Sequence, residues 1–172
     1  MAARVTLRPA RPDDAALLER WDRDADVVAA QGADAAADKP GLDEDWRKEI
    51  AAAPDWRRIL IGEEGGRPFG VIVDIDPARE ETHYWGDCGP GLRAFDVWIG
   101  EAKDRGRGLG AAMMRAALDI AFADPAVSAV MIDPLISNQR AIRFYERCGF
   151  RALGERRFGD DDCLVMRFDR PD

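Results

Sequence analysis

The sequence predicts a mixed α/β domain built on one main sheet. Three observations carry this. Segments of period-2 alternation and segments of helical spacing follow one another in the order β-α-α-β-β-β-α-β-α-β-β. Glycine-rich and proline-containing breaks separate them. The length of 172 residues suits one ordinary domain with a real core, so residues 1–172 are expected to form a single domain.

Val5 to Ala10 (VTLRPA) alternates as a strand. RPDDAALLERW then opens a helix, with Asp13 or Asp14 near its N-cap and Leu17, Leu18 and Trp21 on one face. The stretch Ala29 to Pro40 is weakly patterned and is expected to be a loop or loose helix. Leu42 to Ala53 predicts a second, acidic helix stopped by Pro54. Trp56 to Gly62 and Pro68 to Asp76 read as strands around the turn Glu64-Gly65-Gly66, a hairpin. Arg93 to Gly100 is a further strand. Leu109, Ala112, Met113, Ala116 and Ile120 keep helical spacing until Asp124-Pro125. Val127 to Ile132 is a short buried strand. Asn138 caps a helix reaching Cys148, and Gly149 stands where a left-handed C-cap belongs. Two strands, FRALGERRF and CLVMRF, close the chain.

Composition narrows the function. Lys and Arg number 25 against 33 Asp and Glu, a formal net charge of −8, which disfavours a nucleic-acid surface and suits a cationic partner. No apolar run is long enough to span a bilayer, and the first residues lack the apolar region of a signal peptide. A cytoplasmic protein without a membrane partner is therefore expected, as monomer or homodimer. Cys88, Cys148 and Cys163 are widely spaced and have only His83 beside them, so no metal site is expected.

One stretch demands chemistry. DRGRGLGAAMM, Asp104 to Met114, places three glycines and two arginines between a strand and a helix. Backbone N–H groups and the helix dipole make such a junction an anion site, and glycines let a phosphate approach. A Walker A loop is excluded, because Gly110 precedes Ala111 rather than Lys-Ser/Thr. Gly106, Gly108 and Ala111 fit G-x-G-x-x-A, but a dinucleotide fold carries that motif after its first strand. Arg105, Gly108 and Gly110 fit R-x-x-G-x-G. Downstream, SNQRAIRFYERCGF aligns Asn138, Ala141 and Tyr145 on one helical face.

These two segments together resemble the GNAT family of acetyl-CoA-dependent N-acetyltransferases. R-x-x-G-x-G after the fourth strand is similar to their pyrophosphate loop, and N-x-x-A-x-x-x-Y-x-x-x-G-F to their second cofactor segment. Most of the chain resembles the aminoglycoside 6′-N-acetyltransferases within that family, through VTLRPARPDD, PGLRAFD, FADPAV and IDPLISNQRAIRFYERCGF. The resemblance implies a GNAT-like mixed central sheet flanked by helices, acetyl-CoA as cofactor, coenzyme A as product, and a cationic small-molecule amine as acceptor. It implies cofactor contacts from Val97, Trp98 and Ile99, from Arg105, Gly106, Arg107, Gly108, Leu109, Gly110 and Ala111, and from Asn138, Ala141 and Tyr145. The sequence departs from the subfamily in Ala94-Phe95 before Asp96 and in Val97-Trp98-Ile99-Gly100-Glu101 after it. A tryptophan at that place is expected to reshape the acceptor pocket.

Mechanism follows from the amine. A protonated amine must lose a proton before it attacks a thioester, and a carboxylate can hold the ammonium and take that proton. Asp96 matches the subfamily's catalytic aspartate; the alternative is a strand-end carboxylate paired with Arg93. A backbone N–H of Val97 or Trp98 would meet the oxyanion. Tyr145 matches the tyrosine that protonates the leaving thiolate. Acceptor contacts are expected from Asp96, from Asp133 and Asp160, extended by Asp161 and Asp162, and from Tyr84 and Trp85 by stacking on a sugar. Asp133 has the alternative of capping the turn before Pro134, and Asp160 of lying at an exposed hairpin tip. His83 is expected on the surface or in packing rather than in proton transfer. Three readings stand: an aminoglycoside-type enzyme, a GNAT acting on another amine such as a polyamine, a siderophore precursor or a protein amine, and an acyl-CoA binder without catalysis.

Overall fold

Strand alternation and helical spacing resolve into a seven-stranded sheet with helices on both faces. The computed structural model describes residues 5–31 and 45–172. The elements are β1 (Val5–Pro9), α1 (Ala15–Asp22), α2 (Ala25–Gln31), α3 (Trp46–Ala51), β2 (Arg57–Glu64), β3 (Arg67–Ile75), β4 (Leu92–Ile99), α4 (Leu109–Phe122), β5 (Ala129–Ile132), α5 (Gln139–Arg147), β6 (Arg151–Phe158) and β7 (Asp161–Asp169). The sheet order is β1-β2-β3-β4-β5-β7-β6. Neighbours are antiparallel except β4 and β5, which are parallel.

Two elements differ from expectation. Helix α2 begins at Ala25, inside what looked like the approach to a loop; residues 32–40 of that loop lie outside the described residues. Asp24 starts α2 by accepting from the backbone N–H groups of Asp26 and Val27. Only Val27 of α2 is buried, so helical spacing of apolar residues left no signal there. The acidic helix expected over Leu42 to Ala53 is Trp46–Ala51 among the described residues, capped by the Asp45 side chain on Lys48 N–H. Asp14 stands at the N-cap of α1, as expected, but its side chain makes no capping bond. Its carboxylate takes both Arg8 terminal nitrogens, at 2.7 and 2.8 Å, and thereby ties α1 to β1.

Each face of the sheet buries its own core. On one side, Leu109, Met113, Met114, Ala117 and Ala121 of α4 pack with Ile142 and Tyr145 of α5 over Ile72, Phe95, Val130 and Met166. On the other, Leu18 and Trp21 of α1 and Trp46 of α3 cover Ile59, Ile61 and Val71. A bulge between Gly62 and Glu63 breaks the alternation of the β2–β3 pair, and Phe69 joins Ile72 on the α4 face.

The feature that positions the site is the junction of β4 and β5. These strands pair only from Leu92 to Ala94, against Ala129 to Met131. Beyond Ala94 they part. β4 stays on β3 as far as Ile99. The chain after β5 follows β7 instead: Pro134 O accepts from Leu164 N, and Ile136 N donates to Asp162 O, both at 2.9 Å. Pro134 has no N–H to offer a neighbouring strand. Phe95 to Ile99 therefore have an open edge toward β5, with no strand on it among the described residues.

Candidate active site

The glycine loop lies at the open end of this split. Gly106 and Gly108 have φ of 77° and 82°, a left-handed backbone that suits glycine. A Cβ at either would meet nothing within 4 Å, so the loop faces open space. Gly108 is the N-cap of α4 and brings no side chain to its amides. The first N–H groups of α4 have no acceptor within the helix and are available to an anion.

The arginines of the loop are ion-paired within the protein. Arg105 turns back, donating to Asp26 at 2.5 Å, Asp24 at 2.8 Å and the Ile99 carbonyl at 3.1 Å. Arg107 donates to Asp104 at 2.5 Å and to Glu64 at 3.1 Å. Asp104 is buried and also takes both terminal nitrogens of Arg67, at 2.7 and 2.9 Å. The Arg67 bonds hold its carboxyl below the usual range, with help from Arg107. The guanidinium charges are thus paired with carboxylates of the protein, and the pairs clamp the loop. Arg105 is largely covered, whereas Arg107 stays exposed beside the open amides.

Asp96 and Tyr145 flank the split from opposite faces. Val97 and Ile99 pack on the α4 face, and Trp98 on the α1 face. Alternation puts Asp96 on the side of Trp98, and Asp96 is exposed. Tyr145 is buried on the α4 face, edge-on to Phe144 and Phe150 at 5.2 and 5.9 Å. Its hydroxyl bonds no side chain or backbone among the described residues. Burial pushes that hydroxyl's pKa up, and the charges of Asp96 and Asp133 push it further. It is a retained proton at neutral pH. Asn138 caps α5 by accepting from Ala141 N–H at 3.1 Å, which sets Asn138, Ala141 and Tyr145 along one line.

The pairing of Asp96 with Arg93 is not formed as a strand-end salt bridge. Arg93 donates to Asp74 at 2.6 Å and to the carbonyls of Asp74 and Trp56. Asp74, wholly buried, is the residue that sequence reading missed as Arg93's partner. Trp98 is half-buried, on the same side of β4 as Asp96. It packs against the α1–α3 core with its ring 6.5 Å from Trp46, and its buried Nε1 has no hydrogen-bond partner among the described residues.

Asp133 follows β5 directly and stands across the split. It is electrostatically coupled to Asp96, and it accepts from the Tyr84 hydroxyl at 2.5 Å. Tyr84 lies stacked on Phe158 with centroids 4.4 Å apart and planes 9° apart. Trp85 meets both rings edge-on. One face of Tyr84 is therefore covered by the protein and not open to a sugar. Phe158 gave no hint in sequence, since only packing reveals it. Asp160 is at the β6–β7 turn, with its side chain 82% exposed and Arg157 at 3.8 Å. Asp161 and Asp162 line a cleft of about 700 Å³ with Glu155, Leu135, Ile136, Ser137 and Ala29. His83 is exposed, with a left-handed φ of 52°, at a turn rather than in the split.

The three thiols are poorly placed for a covalent route. Burial raises the thiol pKa of Cys88, Cys148 and Cys163, the last to about 12, which keeps them protonated and weakly nucleophilic. Among the described residues no group of His, Cys, Asp or Glu is placed to hold a metal ion. No helix there is long and apolar enough to cross a membrane.

Comparison with known proteins agrees with this geometry. Residues 11–158 match the family model described as an acetyltransferase (GNAT) domain. Aminoglycoside N(6′)-acetyltransferase type 1 of Klebsiella pneumoniae is 30% identical over 165 residues, covering 94% of this chain and 81% of the relative. A kanamycin resistance protein of Rhizobium radiobacter is 40% identical over 88 residues, covering 51% of this chain and 82% of the relative. The crystal structure of aminoglycoside acetyltransferase AAC(6′)-Ib with coenzyme A and kanamycin superposes with a TM-score of 0.84 at 27% identity, covering 97% of this chain and 95% of that one. A family model spanning most of the chain, a relative 30% identical over 94% of it and a superposable fold converge: the chain belongs to the GNAT acetyltransferases, as an acetyl-CoA-dependent N-acetyltransferase of the aminoglycoside 6′-N-acetyltransferase type.

Proposed function

We propose that this enzyme acetylates the 6′-amine of an aminoglycoside by direct attack within a ternary complex. The observation that carries the reading is the split between β4 and β5, flanked by the exposed Asp96 on one face and the buried Tyr145 on the other. The residues fit acetyl-CoA: open left-handed glycines at Gly106 and Gly108, uncapped amides at Leu109, Gly110 and Ala111, and the α5 line of Asn138 and Ala141. When bound, acetyl-CoA supplies an acetyl group activated as a thioester. Backbone around Arg105 to Ala111 holds the pyrophosphate, with Arg105 and Arg107 acting through the loop they clamp.

Asp96 receives the acceptor ammonium and takes its proton, directly or through water. The amine then attacks the acetyl carbonyl. An N–H from Val97 or Trp98, on the open edge of β4, meets the developing negative oxygen. Tyr145 gives its proton to the leaving thiolate, and burial keeps that proton in place until then. Asp133, Asp160 and the acidic cleft of Asp161 and Asp162 draw a polycation, while Tyr84 and Trp85 form a wall beside them. Free thiols and acetyl-CoA as cosubstrate suit a cytoplasmic setting.

The test is release of free thiol from acetyl-CoA with kanamycin, spermidine and a lysine peptide compared at equal concentration. Kanamycin should give the highest kcat/KM, with one acetyl added at the 6′-amine by mass spectrometry. A preference for the peptide or for spermidine would move the enzyme to another amine. No turnover with any amine, despite acetyl-CoA binding, would make it a binding protein.

A further inference from the structure

Asp133 and Tyr84 come from separate elements and meet at the split. Tyr84 lies in the segment between β3 and β4, which is built to hold it. Glu80 accepts from the backbone N–H groups of Thr82 and Tyr84, at 2.7 and 3.1 Å, and from the Thr82 hydroxyl at 2.8 Å. His83 N and Gly86 N close two turns around it, and His83 carries a left-handed φ that non-glycine residues rarely adopt. The Phe158 stack then fixes the ring plane, and Arg156 of β6 secures the segment by donating to Trp85 O at 3.1 Å. The result is a phenol aimed at one carboxylate oxygen of Asp133, at 2.5 Å.

We propose that Tyr84 is a positioning residue for the acceptor: its phenol orients the Asp133 carboxylate and keeps it charged, so that Asp133 and Asp96 share the incoming ammonium. This rests on the aminoglycoside reading above and extends it. The need for such a residue is electrostatic. Asp133 is half-buried beside the exposed Tyr84, and the groups that face it are Tyr84 of the β3–β4 segment, Asp96 of β4, Arg156 of β6, Cys163 of β7 and Tyr145 of α5. Burial and the Asp96 charge favour its neutral form, and its carboxyl is pushed up to about 7. The Tyr84 bond acts against both. A hydroxyl that donates to a carboxylate stabilises the charged form, and Tyr84, whose own pKa is raised by burial, has a proton to donate. A neutral Asp133 would leave an ammonium with half its counter-charge.

The sign is fixed by this arrangement. Below pH 7 Asp133 gains a proton and acceptor affinity falls; above it the carboxylate is present and affinity is regained. Tyr84→Phe keeps the ring and its stack on Phe158 but removes the donor. Carboxyl-carbon NMR of aspartate-labelled protein reads the Asp133 titration without any substrate. Wild type should break near pH 7 and Tyr84→Phe about one to two pH units higher. At pH 7 the KM for kanamycin should rise about tenfold in Tyr84→Phe, with kcat and the KM for acetyl-CoA nearly unchanged. In an Asp133→Asn background the same change should have no further effect on KM. An identical Asp133 titration in wild type and Tyr84→Phe overturns the inference, whatever amine the enzyme uses. Wild type that titrates as expected but ignores kanamycin would instead overturn the aminoglycoside reading and leave the Tyr84–Asp133 coupling standing.

Discussion

The two walls of the split are built in opposite ways. On the cofactor wall, Gly106, Gly108 and the first turn of α4 come from one continuous stretch, and the charges around them close on one another through Asp104, Arg67, Arg107 and Glu64. On the acceptor wall, Tyr84, Asp96, Asp133 and Phe158 come from four separate elements, and their carboxylates oppose one another. The first wall presents backbone and satisfies its own side chains. The second presents side chains, with Asp133 held by Tyr84 and facing the charge of Asp96. A common cofactor suits the first design, because amides cannot be changed by substitution. A variable acceptor suits the second, because each side chain can.

That contrast can be broken at either wall, and the sizes should differ. The largest effect belongs to Gly108→Asp. It forces a side chain into a left-handed position and puts a negative charge on the open face of the loop. Acetyl-CoA binding should be lost by calorimetry while circular dichroism stays native. Undiminished binding would remove the loop from the cofactor wall.

Next comes Asp96→Asn, which is nearly isosteric and on an exposed site, so the fold should be kept. Turnover should fall by about two orders of magnitude or more. The KM for acetyl-CoA should hardly change, since the two walls are separate. Full turnover on every amine accepted by wild type would send the search for the base to ordered water.

Tyr145→Phe should follow, with a loss of at least about tenfold in kcat, because water can replace part of the proton donor. The raised pKa of Tyr145 adds a pH test. Its proton is lost only well above neutrality, so its ionisation should produce no fall in the rate of wild type between pH 7 and about 9. A variant within a factor of about two of wild type would make Tyr145 a packing residue.

The smallest effect is ionic. The KM for a polycationic acceptor should rise severalfold as salt is increased, because exposed charges are screened over about 8 to 10 Å at physiological ionic strength. The KM for acetyl-CoA should move less, as the loop arginines are already paired within the protein. Equal salt dependence of both would erase the distinction between the walls.

The difference in design also explains what could be read in advance. Glycine at 106 and 108, the α4 spacing and the Asn138–Ala141–Tyr145 line are local in sequence, and local backbone geometry dictates them. The pairing of Arg105 with Asp24 and Asp26 was not legible, because they lie about 80 residues earlier in the chain and are brought close by α2, an element with one buried residue and so no visible period. Trp98 was expected to reshape the acceptor pocket. Its place in the α1–α3 core depends on Trp46, which meets it only after folding.

By itself the sequence determined the order of the strands and of every helix but α2, the open glycine junction, and the presence of an aspartate and a tyrosine at the spacing of the family. These are properties of neighbours along the chain, governed by dihedral freedom and hydrophobic period. Only the tertiary structure decided where β4 and β5 part, which carboxylates neutralise the loop arginines, and that Tyr84 bonds Asp133. Each of those depends on groups far apart in sequence, and on burial, which makes a hydrogen bond or a like charge count for far more than it does in water.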